Sequence, residues 1–458
     1  MSSLTTTDRG PAALSRGLLI GAGLVALPVA LIIAVLAFGA SSHGAGGVAV
    51  APAAPPDPYP RLLMALPVIL AVCALCGTLM RKIGQPPVIG QIIAGIALGP
   101  TLLGAVWPAA FHWLFPAYLT STINTLAQLG LIFFMYLIGS EIDLGAMRRS
   151  GAAAATIGQA GLAIPMLSGA VLAFWLYPRF GGGAGFLAFA LFIAVVMSVT
   201  AFPVLARILA DRGITDTPLG VLSVTCAAIS DLVAWCLLAL VTAVAKHGSD
   251  LAVVKTVAIA LAIVLVLGFV VRPLLSAWID RVPPGAVLPI MLGGVMLSAL
   301  ATNQDGIHPI FGAFAFGVIA PRRQVTREAG AKMESLTTTL LLPLFFVYTG
   351  LNSHFGLLGT HAWLWAWCAL VTVVAIAGKL GACTLAARLT GSNWRAAVSL
   401  GALMNCRGLT ELVVLGLGLQ LHVISPTVFA MLVIMTLIST AATAPLLSLI
   451  ERRRPAPA

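Results

Sequence analysis

The 458-residue sequence is 60% hydrophobic, carries charge on only 9% of its residues and has a formal net charge of +11. Soluble globular domains carry about 25% charged residues, so the composition excludes a water-soluble globular domain and points to lipid contact. The basic residues sit in short clusters between apolar runs, without interleaved aromatics. This excludes a nucleic-acid surface and fits the positive-inside bias of membrane loops.

Stretches of about 17–25 apolar residues can cross a bilayer as helices. Fourteen candidates occur, near 15–40, 62–82, 86–104, 122–140, 153–178, 186–211, 219–245, 252–275, 286–302, 308–321, 336–351, 361–389, 395–420 and 425–449. The first follows Arg9 and Arg16 and precedes a Gly/Ala/Pro-rich linker from Ser41 to Pro60. A signal peptide cleaved near Ala40 and a retained extra helix both fit; the length of the run favours the helix. The sequence stops directly after the last span, and no cytosolic nucleotide-binding domain is expected.

With a cytoplasmic N-terminus, the cytoplasmic connections hold Arg81/Lys82, Arg148/Arg149, Arg212, Arg272/Arg281, Arg322/Arg323/Arg327/Lys332, Arg388/Arg395 and Arg452/Arg453/Arg454. The opposite connections hold only Arg61, Arg179, Lys246 and Lys255. The asymmetry predicts an inner, cell-membrane protein with both termini cytoplasmic. All seven histidines (His43, His112, His247, His308, His354, His361 and His422) fall on the far side. They read either as ordinary loop and helix-end residues or as a pH-sensing face. The cysteines all lie in apolar segments, and the Cys73/Cys76 pair reads as small apolar filler.

The two halves resemble each other. PVIGQIIAGIALGP (Pro87, Gly90, Gly95, Pro100) is answered by PIFGAFAFGVIAP (Pro309, Gly312, Gly317, Pro321), and FFMYLIG (Phe133 to Gly139) by FFVYTG (Phe345 to Gly350). Leaving the first span aside, six segments precede one intervening helix and six follow it, so the second half starts on the opposite side of the membrane. The predicted fold is an all-α polytopic membrane protein of about 13–14 transmembrane helices with inverted six-helix repeats.

Corresponding segments are also interrupted. One contains Ser198-Val199-Thr200-Ala201-Phe202-Pro203, the other Met404-Asn405-Cys406-Arg407-Gly408. Broken backbone at membrane depth is tolerated only inside protein or beside water, and two matched breaks point to a midplane binding site. Four charges escape the loops and helix ends: Asp231, Lys379, Arg407 and Glu411. Arg407 and Glu411 share a helix face at i, i+4 and read as a structural ion pair beside the break. Asp231 and Lys379 lie in different halves. They form either a structural pair or, in the functional reading, a cation site in which Asp231, Ser230 and Thr200 offer oxygens to an alkali cation.

At these residues the sequence resembles the monovalent cation:proton antiporter superfamily, in its Kef-like and plant cation/proton exchanger branch. The resemblance covers residues 62 to 450 and is carried by GQPPVIGQIIAGIALGP, LAQLGLIFFMYLIGSEIDL, MSVTAFPVLARIL, AISDLVAW, HPIFGAFAFG, PLFFVYTGL, GKLG and MNCRGLTELVVL. It implies a sodium/hydrogen exchanger fold with two crossed discontinuous helices, working as a homodimer in the bilayer. The implied division is an extra N-terminal helix and linker (1–60), a dimerisation domain (61–145 and 284–356), an ion-transporting core (150–246 and 360–450) and a linker helix (250–282). The family's ion-binding aspartate maps to Asp231 and its core lysine to Lys379; Asn405, Arg407 and Glu411 support the crossover. Where electrogenic relatives carry two adjacent acids, this chain has Ser230-Asp231, which puts a second proton-carrying acid in doubt.

The expected function is secondary exchange of a monovalent cation, Na+ or K+, for protons, with one aspartate binding either. No cofactor and no enzymatic activity are expected. The alternative is a sodium-coupled solute symporter of similar fold.

Overall fold

A computed structural model describes residues 57–142, 151–181, 183–246, 250–304, 307–353, 356, 359 and 361–452. The first expected span, 15–40, lies outside them, as do its linker up to residue 56, Arg148/Arg149, His43, His247 and His354. The regular structure of the described residues is helical, joined by turns and short breaks, with one isolated bridge between Gly181 and Ile424.

The principal helices are α1 (Tyr59–Lys82), α2 (Pro87–Leu98), α3 (Ala117–Glu141), α4 (Gly151–Phe180), α5 (Phe186–Ser198), α6 (Phe202–Asp211), α7 (Pro218–Lys246) and α8 (Asp250–Val266). The second half follows with α9 (Pro284–Gln304), α10 (Pro309–Ile319), α11 (Gln324–Leu336), α12 (Leu342–Leu351), α13 (Ala362–Leu389), α14 (Trp394–Met404), α15 (Leu409–Gln420) and α16 (Pro426–Arg452). Among the described residues, eleven spans are long and apolar enough to cross a membrane. The bent pair α14/α15 and the shorter α10 complete the thirteen segments expected from 62 to 449.

Prolines shape the long spans. A proline has no N–H and crowds the carbonyl four residues back. The π-helical turns Leu267–Val271 and Thr337–Leu341 each end just before a proline, Pro273 and Pro343, and absorb that mismatch within a continuing helix. One element differs from the sequence reading. The span expected at 336–351 begins at Gln324, because the polar stretch QVTREAGAKMESL is helical and lines a cavity instead of forming a loop.

The densest helix packing falls within two groups. α1, α2, α3, α9, α10 and α12 pack together; α4, α5, α7, α13, α14 and α16 form the other group. The repeats interlock in the first group through glycine. A Cβ on Gly95 of α2 would overlap the Phe346 carbonyl of α12, and one on Gly317 of α10 would overlap the Tyr136 carbonyl of α3. Each repeat thus lays its glycine-bearing second helix against the aromatic third helix of the other, at a distance only a missing side chain permits.

Candidate functional site

Both sequence breaks are breaks in the fold, and they meet. α5 ends at Ser198, residues Val199 to Ala201 are non-helical, and α6 starts at Phe202. Pro203, second in α6, has no N–H for the Val199 carbonyl. In the second half α14 ends at Met404 and α15 starts at Leu409 after Gly408, whose φ of 159° and ψ of −127° suit glycine. A Cβ on Gly408 would lie 2.9 Å from Val204 Cγ2 in α6. The two non-helical segments are joined by Ala201 N–H to the Cys406 carbonyl at 2.9 Å and by the Thr200 hydroxyl to the Met404 carbonyl at 3.2 Å.

Four half-helix ends therefore converge, each with unpaired backbone groups. The carbonyls ending α5 are taken by two cations from the other half. Arg407 donates from Nη1 to the Val196 carbonyl at 2.8 Å and from Nη2 to the Met197 carbonyl at 2.6 Å. Lys379 of α13 donates to the Ser198 carbonyl. Positive charge at a helix C-terminus is favourable by dipole and hydrogen bond alike. The starts of α6 and α15 receive acids: the Asp231 carboxylate lies near the Phe202 N–H, which itself bonds the Thr200 carbonyl at 3.1 Å, and Glu411 lies in the first turn of α15.

Among the described residues, Asp231, Lys379, Arg407 and Glu411 are the buried charged side chains, the same four that the sequence sets apart. Arg407 Nη1 and Glu411 Oε1 form the expected ion pair at 2.7 Å. The direct Asp231–Lys379 pair is not formed. Lys379 Nζ bonds the Gly161 carbonyl of α4 at 2.8 Å and the Ser198 carbonyl, while Asp231 Oδ2 has no hydrogen-bond partner. Lys379 and Asp231 remain within electrostatic reach of each other. Pro165 explains the Gly161 contact: it lacks the N–H that would otherwise take the carbonyl four residues earlier.

Ser230 donates to the Gly158 carbonyl at 3.1 Å and so ties α7 to α4. Its proton, like that of Thr200, is committed to a carbonyl, but a hydroxyl oxygen keeps lone pairs that can face a cation. Asn405 is fully buried with neither side-chain polar atom partnered. Sequence reasoning missed Gly161, Pro165 and Thr440. Thr440 of α16 accepts from the Arg407 N–H at 3.2 Å and donates to the Arg407 carbonyl at 2.6 Å, holding the break in place. Pro165 was a visible signal; the partners of Thr440 had none in sequence.

Two cavities flank the crossover. The larger, about 920 Å³, reaches Pro203 and Leu409 at the crossover and is rimmed by Arg81, Arg207, Arg322 and Arg327. The smaller, about 190 Å³, runs beside the outer part of α15 and is lined by Gln128, His308, Asn352 and His422. Crossed half-helices with a buried carboxylate between them, flanked by two cavities, are the arrangement of a secondary transporter.

The family profile described as sodium/hydrogen exchanger, transmembrane, matches residues 68–449. The chain belongs to that family. It is 41% identical over 408 residues to the Na+/H+ antiporter NhaS4 of Synechocystis, covering 85% of this chain and 96% of that protein. It is 35% identical over 400 residues to cation/H+ antiporter 15 of Arabidopsis thaliana and 34% identical over 410 residues to K+/H+ antiporter 1 of Saccharomyces cerevisiae. It covers 86% of its own length in both comparisons but spans only 48% and 47% of those proteins. The fold matches the sodium proton antiporter MjNhaP1 of Methanocaldococcus jannaschii with a TM-score of 0.62 at 15% identity, over 85% of this chain and 99% of that one. These relatives are antiporters by name, and sodium-coupled solute symport finds no support among them.

Proposed function

We propose that the chain exchanges a monovalent cation, Na+ or K+, for protons by alternating access, with Asp231 binding either one. The observation that carries this reading is Asp231 itself: it is 2% exposed, lies at the N-terminal end of α6 inside the crossover, and keeps one carboxylate oxygen unpartnered. A buried ionised carboxylate is costly unless paired. An alkali cation or a proton neutralises it, and the two compete for the same oxygens. Thr200 and Ser230 lone pairs add hard oxygen ligands for the cation.

The two packing groups support a core, built on α4–α7 and α13–α16, that moves against a dimerisation domain built on α1–α3 and α9–α12. The Arg-rimmed cavity is the larger one, which favours access from the basic, cytoplasmic side of a cell membrane, with both termini on that side and two chains pairing as a homodimer. Everted vesicles with a dequenching pH dye, titrated with Na+, K+ and Li+ across pH, test the exchange. Asp231→Asn is expected to abolish cation-dependent proton movement while the protein still inserts and purifies as a folded species. Full exchange by that variant would overturn the site.

A further inference from the structure

We infer that Asn405 donates its side-chain oxygen to the transported cation, facing Asp231 from the opposite half of the protein. The inference rests on the Asp231 reading above. Asn405 is the first residue beyond α14, is fully buried, and has neither Oδ1 nor Nδ2 hydrogen-bonded. Its neighbours on both sides bind the other broken segment: the Met404 carbonyl accepts from Thr200, and the Cys406 carbonyl accepts from Ala201. Position 405 therefore runs alongside residues 200 and 201, and the next amide, that of Phe202, lies near Asp231. An unpartnered buried amide and an unpartnered buried carboxylate oxygen thus belong to one crossover.

Structural duties at the crossover are held by other side chains. Arg407 caps α5 and pairs with Glu411, Lys379 bridges α4 and α5, and Thr440 clamps the Arg407 backbone. Asn405 does none of this, and its flanking residues Leu403, Met404 and Cys406 are apolar and buried. An apolar side chain of similar volume would fill the position without stranding two polar atoms in the membrane interior. An amide oxygen is a hard, neutral ligand. It raises the oxygen count around an alkali cation without adding a group that titrates, so a single acid still governs the exchange. A cation held between Asp231 and Asn405 would draw the two broken segments together, and its replacement by a proton would release them.

The test is exchange by the full-length protein reconstituted in liposomes, with Na+, K+ and Li+ titrated separately. Asn405→Ala is expected to raise the apparent KM for the transported cation about tenfold, with the maximal rate falling much less. Asn405→Asp keeps an oxygen in place and is expected to bind at least as tightly as the parent, with a changed order of preference among the three cations. Apparent KM values in Asn405→Ala within about twofold of the parent for all three cations would overturn the inference. If Asn405→Ala does not purify as a folded species, Asn405→Gln decides, because it moves the oxygen by one methylene. A parent-like KM and preference in that variant overturns the inference, and a shift in either supports it. Asp231→Asn measured alongside separates the two readings. If it abolishes exchange while the Asn405 variants behave as the parent, only the Asn405 role fails; if it exchanges normally, the site itself fails.

Discussion

At the scale of single residues, the four buried charges divide their work unequally. Both Nη atoms of Arg407 are committed to structure, with two α5 carbonyls and the Glu411 carboxylate as partners, while its Nε is unpartnered. Removing one member of a buried pair strands the other, which costs about 3–5 kcal/mol, whereas removing both is often far milder. Arg407→Leu is therefore expected to lower the melting temperature of the purified protein sharply, and Arg407→Leu/Glu411→Leu to recover part of the loss. A double variant no more stable than the single one would show that capping α5, not neutralising Glu411, is the main task of Arg407. Asp231 is the contrasting case, since neither Lys379 nor any hydroxyl donates to its Oδ2. Its burial was legible from a lone acid in an apolar run. Its separation from Lys379 was not, because Lys379 is drawn to a carbonyl that Pro165 frees on a third helix.

At the scale of elements, close helix approach and helix breaks follow from a few small or cyclic residues. Gly317 and Gly95 let backbone atoms of the two repeats touch, so an added methyl must push whole helices apart. Gly317→Ala is expected to destabilise the protein by about 1–3 kcal/mol, the range of core overpacking. Gly293→Ala in α9, where nothing lies within 4 Å of the new Cβ, is expected to be neutral or slightly stabilising. Thermal melts of the two variants beside the parent give the comparison, and equal shifts would sink the packing account. The paired PxxG patterns made these elements readable, as Pro203 and the NCRG stretch did for the breaks. What could not be read was α11, whose polar sequence looks like a loop until the cavity it lines is seen. Nor could the atoms that join the breaks, Ala201 to Cys406 and Thr200 to Met404, be read. Contacts across some 200 residues leave no periodicity to detect.

At the scale of the whole molecule, the count of charges that move decides how exchange responds to membrane potential. Arg407, Glu411 and Lys379 are held within the group of helices that contains the crossover, and they carry the same charge in both directions if Lys379 keeps its protons on Gly161 and Ser198. In the proposed cycle Asp231 crosses either with a proton or with a monovalent cation, and both leave it neutral. An unoccupied, charged Asp231 would cross against a desolvation penalty, which suppresses leak. On that proposal one cation leaves for each proton that enters, and the cycle moves no net charge. The initial exchange rate of the reconstituted protein is accordingly expected to be insensitive to an imposed potential at fixed ion and pH gradients. If Lys379 instead released its own proton whenever the cation bound, each turnover would carry one net charge. That charge is worth about 2.3 kcal/mol per 100 mV, enough to make the direction and extent of exchange follow the potential. Measuring proton flux at two imposed potentials of opposite sign distinguishes the two. A strong voltage response of the parent that both Lys379→Leu and Lys379→Arg, whose guanidinium keeps its proton, remove would transfer the second proton to Lys379 and overturn the single-acid cycle.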